Sequence, residues 1–111
     1  MNQKYEECLK ACNECLEACN KCYDACLREN HVKMMVECIR LDRACADACA
    51  FAIQAMTSNS PFMKKICQLC AEICERCADE CAKHDHEHCQ RCAESCRKCA
   101  KACREMSMYV S

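Results

Sequence analysis

Cysteine supplies the repeating apolar position along this chain. The residues run Cys8, Cys12, Cys15, Cys19, Cys22 and Cys26; then Cys38, Cys45 and Cys49; then Cys67, Cys70, Cys74, Cys77 and Cys81; and finally Cys89, Cys92, Cys96, Cys99 and Cys103. Steps of three, four or their sum keep side chains on one face of an α-helix, so each group forms a ladder of sulfurs. Four ladders predict four helices. Ala, Glu, Lys, Arg and Gln fill the positions between, as strong helix formers that solvate the opposite face.

Polar breaks bound these helices at about residues 3–28, 31–56, 61–83 and 86–107. Asn30 is expected to cap the second, Ser60 the third with Pro61 in its first turn, and Asp85 the fourth. Connections of about two to five residues make successive helices antiparallel neighbours. The expected fold is therefore all-α, a single domain built as an antiparallel up-down-up-down four-helix bundle with a cysteine-lined core. Gln68-Leu69-Cys70-Ala71-Glu72-Ile73-Cys74 recurs as Gln90-Arg91-Cys92-Ala93-Glu94-Ser95-Cys96, and Cys15-Leu16-Glu17-Ala18-Cys19 is a third copy, which points to helix duplication. The second helix departs from this pattern. It has three cysteines, Asp42 or Leu41 where a fourth would fall, and a second stripe of Val32, Val36, Ile39, Ala46, Ala50 and Ile53 that either widens the core face or meets another subunit.

Composition sharpens the picture. Of 111 residues, 19 are cysteine, while Leu, Ile, Val and Phe together supply 14, so the thiols themselves must form the core. With no glycine and one proline, the chain lacks the turns of an all-β fold and any phosphate-cradling loop. Sixteen basic against 17 acidic residues and no tryptophan leave no footprint for nucleic acid. No apolar run is long enough to span a membrane, and Met1-Asn2-Gln3-Lys4-Tyr5-Glu6-Glu7 offers no apolar signal segment, so a cytoplasmic location is expected. Reducing cytoplasm keeps thiols free, which directs this cysteine density toward metal before disulfides.

Soft thiolates select Cu(I), Zn(II) and iron-sulfur clusters. Zinc and clusters use isolated groups of four ligands, commonly on loops, whereas these ladders are unbroken and helical. Two-coordinate Cu(I) suits a continuous lining because each sulfur can be shared by neighbouring ions. Each Cu⁺ also replaces one proton, so filling leaves the net charge nearly unchanged. Zinc at four thiolates per ion would strand about two negative charges per site in a low-dielectric core. An iron-sulfur electron-transfer protein and a zinc or general thiolate buffer stay open as alternatives on spacing alone. A thiol-disulfide enzyme would need one exposed, low-pKa cysteine, and none stands out.

The C-x-x-x-C and C-x-x-C ladders from Cys8 to Cys26, Cys67 to Cys81 and Cys89 to Cys103, with the sparser Cys38, Cys45 and Cys49, resemble those of the cytosolic copper storage proteins. The resemblance covers essentially the whole chain. It implies a bundle that holds many Cu(I) ions on all 19 cysteines, stores them without catalysis, and assembles as a homotetramer. Copper-delivering and copper-accepting proteins are the expected partners.

The two ends of such a bundle differ. Antiparallel topology gathers His31, Met34, Met35, His84, His86 and His88 at one end, as candidate ligands for metal admission or as a solvated cluster. Met56, Pro61, Phe62, Met63, Met106 and Met108 gather at the other as an apolar plug. Asp42 reads as a solvent-facing flank beside Arg40 or Arg43. Tyr5, Tyr23, Phe51 and Phe62 read as packing residues, and Leu9, Leu16 and Leu27 as filler beside the thiols.

Overall fold

The computed structural model describes residues 3–110; Met1 and Asn2, the start of the N-terminal segment read above, lie outside the described residues, as does Ser111. Helix α1 spans Gln3–Leu27, α2 Val36–Thr57, α3 Met63–Cys81 and α4 Glu87–Tyr109, and a single 3₁₀ turn, Val32–Met35, leads into α2. The described residues contain no strand. Packing runs around the square, with α1 against α2, α2 against α3, α3 against α4 and α4 back against α1. With connections this short, that arrangement is the antiparallel up-down-up-down bundle, drawn out to 46 × 18 × 17 Å.

The connections show how a chain without glycine turns. Asn59 takes a left-handed conformation, φ 54°, at the end of α2. The amide of Ser60 then reaches the Ala55 carbonyl at 2.9 Å and that of Asn59 the Met56 carbonyl at 3.3 Å, closing a Schellman motif. Asparagine replaces glycine here because its short polar side chain tolerates that region. Ser60 next organises the start of α3: its hydroxyl accepts from the Phe62 amide at 3.1 Å and its carbonyl from the Met63 amide at 3.2 Å.

None of the three expected caps occupies its cap position: Phe62, not Ser60, precedes α3, without a side-chain cap, and Pro61 lies in the turn before the helix, because Ser60 is used within that turn. His31, not Asn30, precedes the 3₁₀ turn and Met35 precedes α2, neither with a side-chain cap. The tight turn uses its own backbone, the Met34 amide donating to the His31 carbonyl at 3.0 Å. His86, not Asp85, occupies the cap position of α4, in extended conformation. The turn before it is pinned from the other side, where the Gln90 side-chain Nε2 donates to the carbonyls of His84 at 2.6 Å and Ala82 at 3.3 Å.

All 19 cysteines are buried, together with Ala46, Ala52, Ala55, Ala71, Ala78, Ala93 and Ala100. Small side chains let the helices approach closely enough for the thiols to fill the interior. Leu9, Leu16, Ile39 and Ile73 pack at its margin. Phe51 and Phe62, expected to pack, are instead 52% and 65% exposed, and Leu27 is about half exposed. They fall outside the sulfur face, and an interior already filled by thiols has no room for a ring. The second stripe on α2 divides likewise: Ala46 is buried, while Val32 and Val36 face outward. No described helix is long and apolar enough to cross a membrane.

These helices do not need metal to bury their faces, because neutral thiols and alanines already pack. Circular dichroism of the reduced, metal-free protein should show a largely helical spectrum that changes little as Cu(I) is added. A random-coil spectrum would instead make metal the source of the fold.

Candidate metal-binding core

Along α1, α3 and α4, i,i+4 cysteine pairs hold their sulfurs at a nearly constant distance. Cys15 and Cys19 are 3.9 Å apart, Cys22 and Cys26 3.7 Å, Cys77 and Cys81 3.9 Å, and Cys99 and Cys103 3.9 Å. Contacts between helices close the ladders into a net. Cys15 meets Cys45 and Cys96 at 3.7 Å, Cys45 meets Cys74 at 3.5 Å, Cys99 meets Cys12 at 3.7 Å, and Cys38 meets Cys81 at 3.2 Å.

Groups of four sulfurs lie mutually within 4.8 Å, among them Cys12, Cys70, Cys99 and Cys103; Cys15, Cys49, Cys74 and Cys99; Cys15, Cys19, Cys45 and Cys96; Cys19, Cys77, Cys92 and Cys96; and Cys22, Cys26, Cys38 and Cys89. Cys15, Cys19, Cys96 and Cys99 each belong to two of these five groups. Independent tetrathiolate sites would compete for these shared sulfurs, whereas ions that bridge through sulfur use the overlap. Every thiol is reduced. Burial, then the nearby charge of Cys38, pushes the Cys26 thiol up to about 12, so a metal ion must displace a firmly held proton there.

Asp42 is not the solvent-facing flank that the sequence suggests. It is buried, at the position on α2 where the alternation Cys38, 42, Cys45, Cys49 calls for another thiol. Its Oδ1 accepts from Cys92 at 3.3 Å, Cys77 at 3.4 Å and Cys81 at 3.5 Å, and Oδ2 from Cys38 at 3.9 Å. Arg40 and Arg43 turn outward to Glu37 and Asp47 instead, and Arg43 also lies over the Tyr23 ring, 5.2 Å from its centroid. The register of the ladder was the available signal; the rarity of buried carboxylates outweighed it. Burial first, and then the charge of Cys92, raises this carboxyl from 3.8 to about 8.

At the histidine end the candidates separate. His88 points its Nδ1 into the sulfur net, 3.4 Å from Cys22, 3.5 Å from Cys89 and 4.0 Å from Cys26. His86 stacks on it, and both rings reach Glu29. His84 lies 2.9 Å from Glu80 on its own side of the turn. His31 and Met34 face outward, whereas Met35 is buried in the core. At the opposite end Met56, Met63 and Met106 are buried beside Ile66, and the Tyr5 hydroxyl donates to the Met56 carbonyl at 3.1 Å. Met108 and Phe62 lie outside this stopper, exposed.

A family model described as copper storage protein matches residues 1–108. A solved structure of a Cu(I)-bound copper storage protein, BsCsp3, is 55% identical, covering 95% of this chain and 99% of its own, with a TM-score of 0.91. A cytosolic copper storage protein from Streptomyces lividans, solved during copper loading with five coppers, is 38% identical over 98% of this chain and 96% of its own, at a TM-score of 0.92. The cysteine-rich protein YhjQ of Bacillus subtilis is 55% identical over 72 residues, 65% of this chain and 67% of its own.

The buried carboxyl makes the metal-free bundle sensitive to pH. Folded, Asp42 keeps its proton to about pH 8; unfolded, it releases it near 3.8. Between these values the unfolded chain binds fewer protons, so this group makes stability fall as pH rises, by at most about 1.4 kcal/mol per pH unit. Asp42→Asn keeps the shape and removes the titration. Anaerobic urea unfolding of the reduced protein across this window should show the decline in the parent and flatten it in the variant. Parallel curves for the two would show that Asp42 does not carry this proton.

Proposed function

Because the chain belongs to the copper storage protein family, we propose that it sequesters many Cu(I) ions on its 19 cysteine thiolates, without catalysis. The single observation that carries this is the net of buried, reduced sulfurs, with neighbours 3.2 to 4.0 Å apart and shared between overlapping groups of four. An interior of that kind offers soft ligands alone at high density. It favours a soft monovalent ion that tolerates low coordination and bridging.

Loading is a proton exchange. Cu⁺ takes the place of a thiol proton and is gripped by the new thiolate and a neighbouring sulfur, and each sulfur turns to a second ion as filling proceeds. At full bridging one proton has left for each ion that arrived, so the filled interior does not accumulate charge that its surroundings would have to neutralise. Ions advance by exchanging one thiolate partner for another without returning to water. The first ligands are the imidazoles and thioethers of the His31, Met34, Met35, His84, His86 and His88 end, which hold Cu(I) more weakly than paired thiolates and release it inward.

The Streptomyces lividans relative is described as cytosolic, and we assign this chain to the cytoplasm on that likeness. We assign it a homotetrameric assembly on the family resemblance, with the outward apolar residues of α2 available for the contact. Proteins that deliver or accept copper are its expected partners.

Anaerobic titration of the reduced protein should saturate at about 15 to 20 Cu(I) per chain, with roughly one proton released per ion. Saturation near four, or preferential uptake of Zn(II) in parallel, would overturn the shared-sulfur reading.

Replacing His31, His84, His86 and His88 together by Ala should slow both uptake and removal by a competing chelator, while total copper content changes little. If uptake keeps the parental rate and truncation of Phe62, Met63 and Met106 slows it, the entrance lies at the other end.

A further inference from the structure

We propose that Glu29 is the positioning residue that turns His88 into a transfer ligand at the mouth of the bundle. The proposal rests on the reading that Cu(I) enters at the histidine end.

Glu29 lies in the connection that follows α1, and His88 in the first turn of α4. Glu29 Oε2 is 2.8 Å from His88 Nε2 and 3.4 Å from His86 Nδ1. An ionised carboxylate only accepts hydrogen bonds, so the proton of a neutral His88 ring is on Nε2 and the lone pair is on Nδ1. Nδ1 is the atom that faces Cys22 and Cys89, at 3.4 and 3.5 Å. The nitrogen able to bind a soft cation is thus aimed at the first thiols of the net.

The ring is fixed in two directions. Glu29 holds its outer edge, and His86 covers a face, with centroids 5.3 Å apart and planes within 5° of parallel. An ordinary carboxylate is ionised through the neutral range, so Glu29 acts as an acceptor. A carboxylate behind a ligating imidazole fixes its tautomer and raises its basicity, and loss of such a partner commonly costs 10- to 100-fold in metal affinity or activity. His84 has a separate partner in Glu80 and takes no part in this arrangement.

Transfer follows from the geometry. Cu(I) displaces the thiol proton that Cys22 or Cys89 directs at Nδ1, and that proton leaves to solvent. The ion is held between Nδ1 and the new thiolate. A second thiol then replaces Nδ1, giving its proton to the released imidazole nitrogen, which passes it to solvent and regains its lone pair for the next ion. No electron is exchanged.

The test uses the full chain, reduced and anaerobic, with Cu(I) handed over from its bicinchoninate complex and uptake followed by stopped flow. His88→Ala should slow uptake. Glu29→Ala should slow it by about tenfold in the parent and have no further effect in a His88→Ala background, because its action runs through that ring. Glu29→Gln should restore part of the rate, since its carbonyl still accepts from Nε2–H. Nitrogen-15 spectra of the metal-free protein should show one fixed His88 tautomer, with Nε2 protonated, in the parent and tautomer averaging in Glu29→Ala.

Slow uptake in His88→Ala with parental uptake in Glu29→Ala overturns the role of Glu29 and leaves the histidine entrance standing. Equal slowing by Glu29→Ala with and without His88 overturns it as well, marking the carboxylate as a tether of the connection. Parental uptake in His88→Ala removes the entrance, and the proposal with it.

Discussion

The period of the α-helix governs everything else in this molecule. Alternating steps of three and four residues put successive sulfurs on one face, and the backbone holds i,i+4 pairs of α1, α3 and α4 at 3.7 to 3.9 Å. Four such faces turned inward give a lining that needs no loop to position a ligand. Zinc modules gather their ligands from flexible connections and gain folding energy from the metal. Here the scaffold is set in advance, and the ligands number many more than a single site could use. The same constraint excludes bulk from the interior, so alanine accompanies cysteine inside and both phenylalanines remain outside.

A second consequence concerns charge. Asp42 and Ser107 are the buried polar or charged side chains among the described residues, while the Lys and Arg ion pairs decorate the outer surface. No buried cation is present there to balance a thiolate. Whatever binds the sulfurs must bring its own balancing charge, one per proton displaced, and a monovalent ion does so. Asp42 fits the same logic in the metal-free state, because burial raises it until it is mostly neutral at pH 7. Its oxygens touch Cys38, Cys77 and Cys81, on the mouth side of the net, as well as Cys92, which leads inward through Cys19. A hydrogen-bond acceptor therefore stands where the ladder on α2 would otherwise have a gap in its sulfur.

Periodicity was the legible part of the chain, because burial and helix phase are written in the same residues. The four helices, their antiparallel order and the inward direction of every cysteine follow from spacing alone. What spacing cannot convey is competition at the helix ends. Asn30, Ser60 and Asp85 are sound capping residues, yet a 3₁₀ turn, the turn that Ser60 itself closes before α3, and the Gln90 side-chain amide meet the local hydrogen-bonding needs instead. Asp42 illustrates the opposite failure: the ladder marked its position as interior, and its charge argued otherwise. Glu29 left no trace in any pattern, because it meets His88 only when the connection after α1 comes beside the start of α4, 59 residues away.

The unequal ends then follow from what each closure is made of. Buried methionines, Ile66 and a tyrosine hydrogen-bonded to backbone stopper the end reached by the connection between α2 and α3. At the other end, His88 in the first turn of α4 sits against the outermost sulfurs, backed by His86 and by Glu29 from the connection after α1. This second closure offers imidazole, a weaker ligand than thiolate, whereas the thioethers of the first are packed into the stopper. Graded strength matters for a store, since an ion bound as firmly at the rim as in the core would have no drive inward. The same gradient makes withdrawal slow, because an outgoing ion must exchange back through sulfurs that hold it better than the rim does. With entry proposed at the histidine end, retention and one-sided access follow from a single arrangement, in which ligand softness increases with depth along a helix-imposed path.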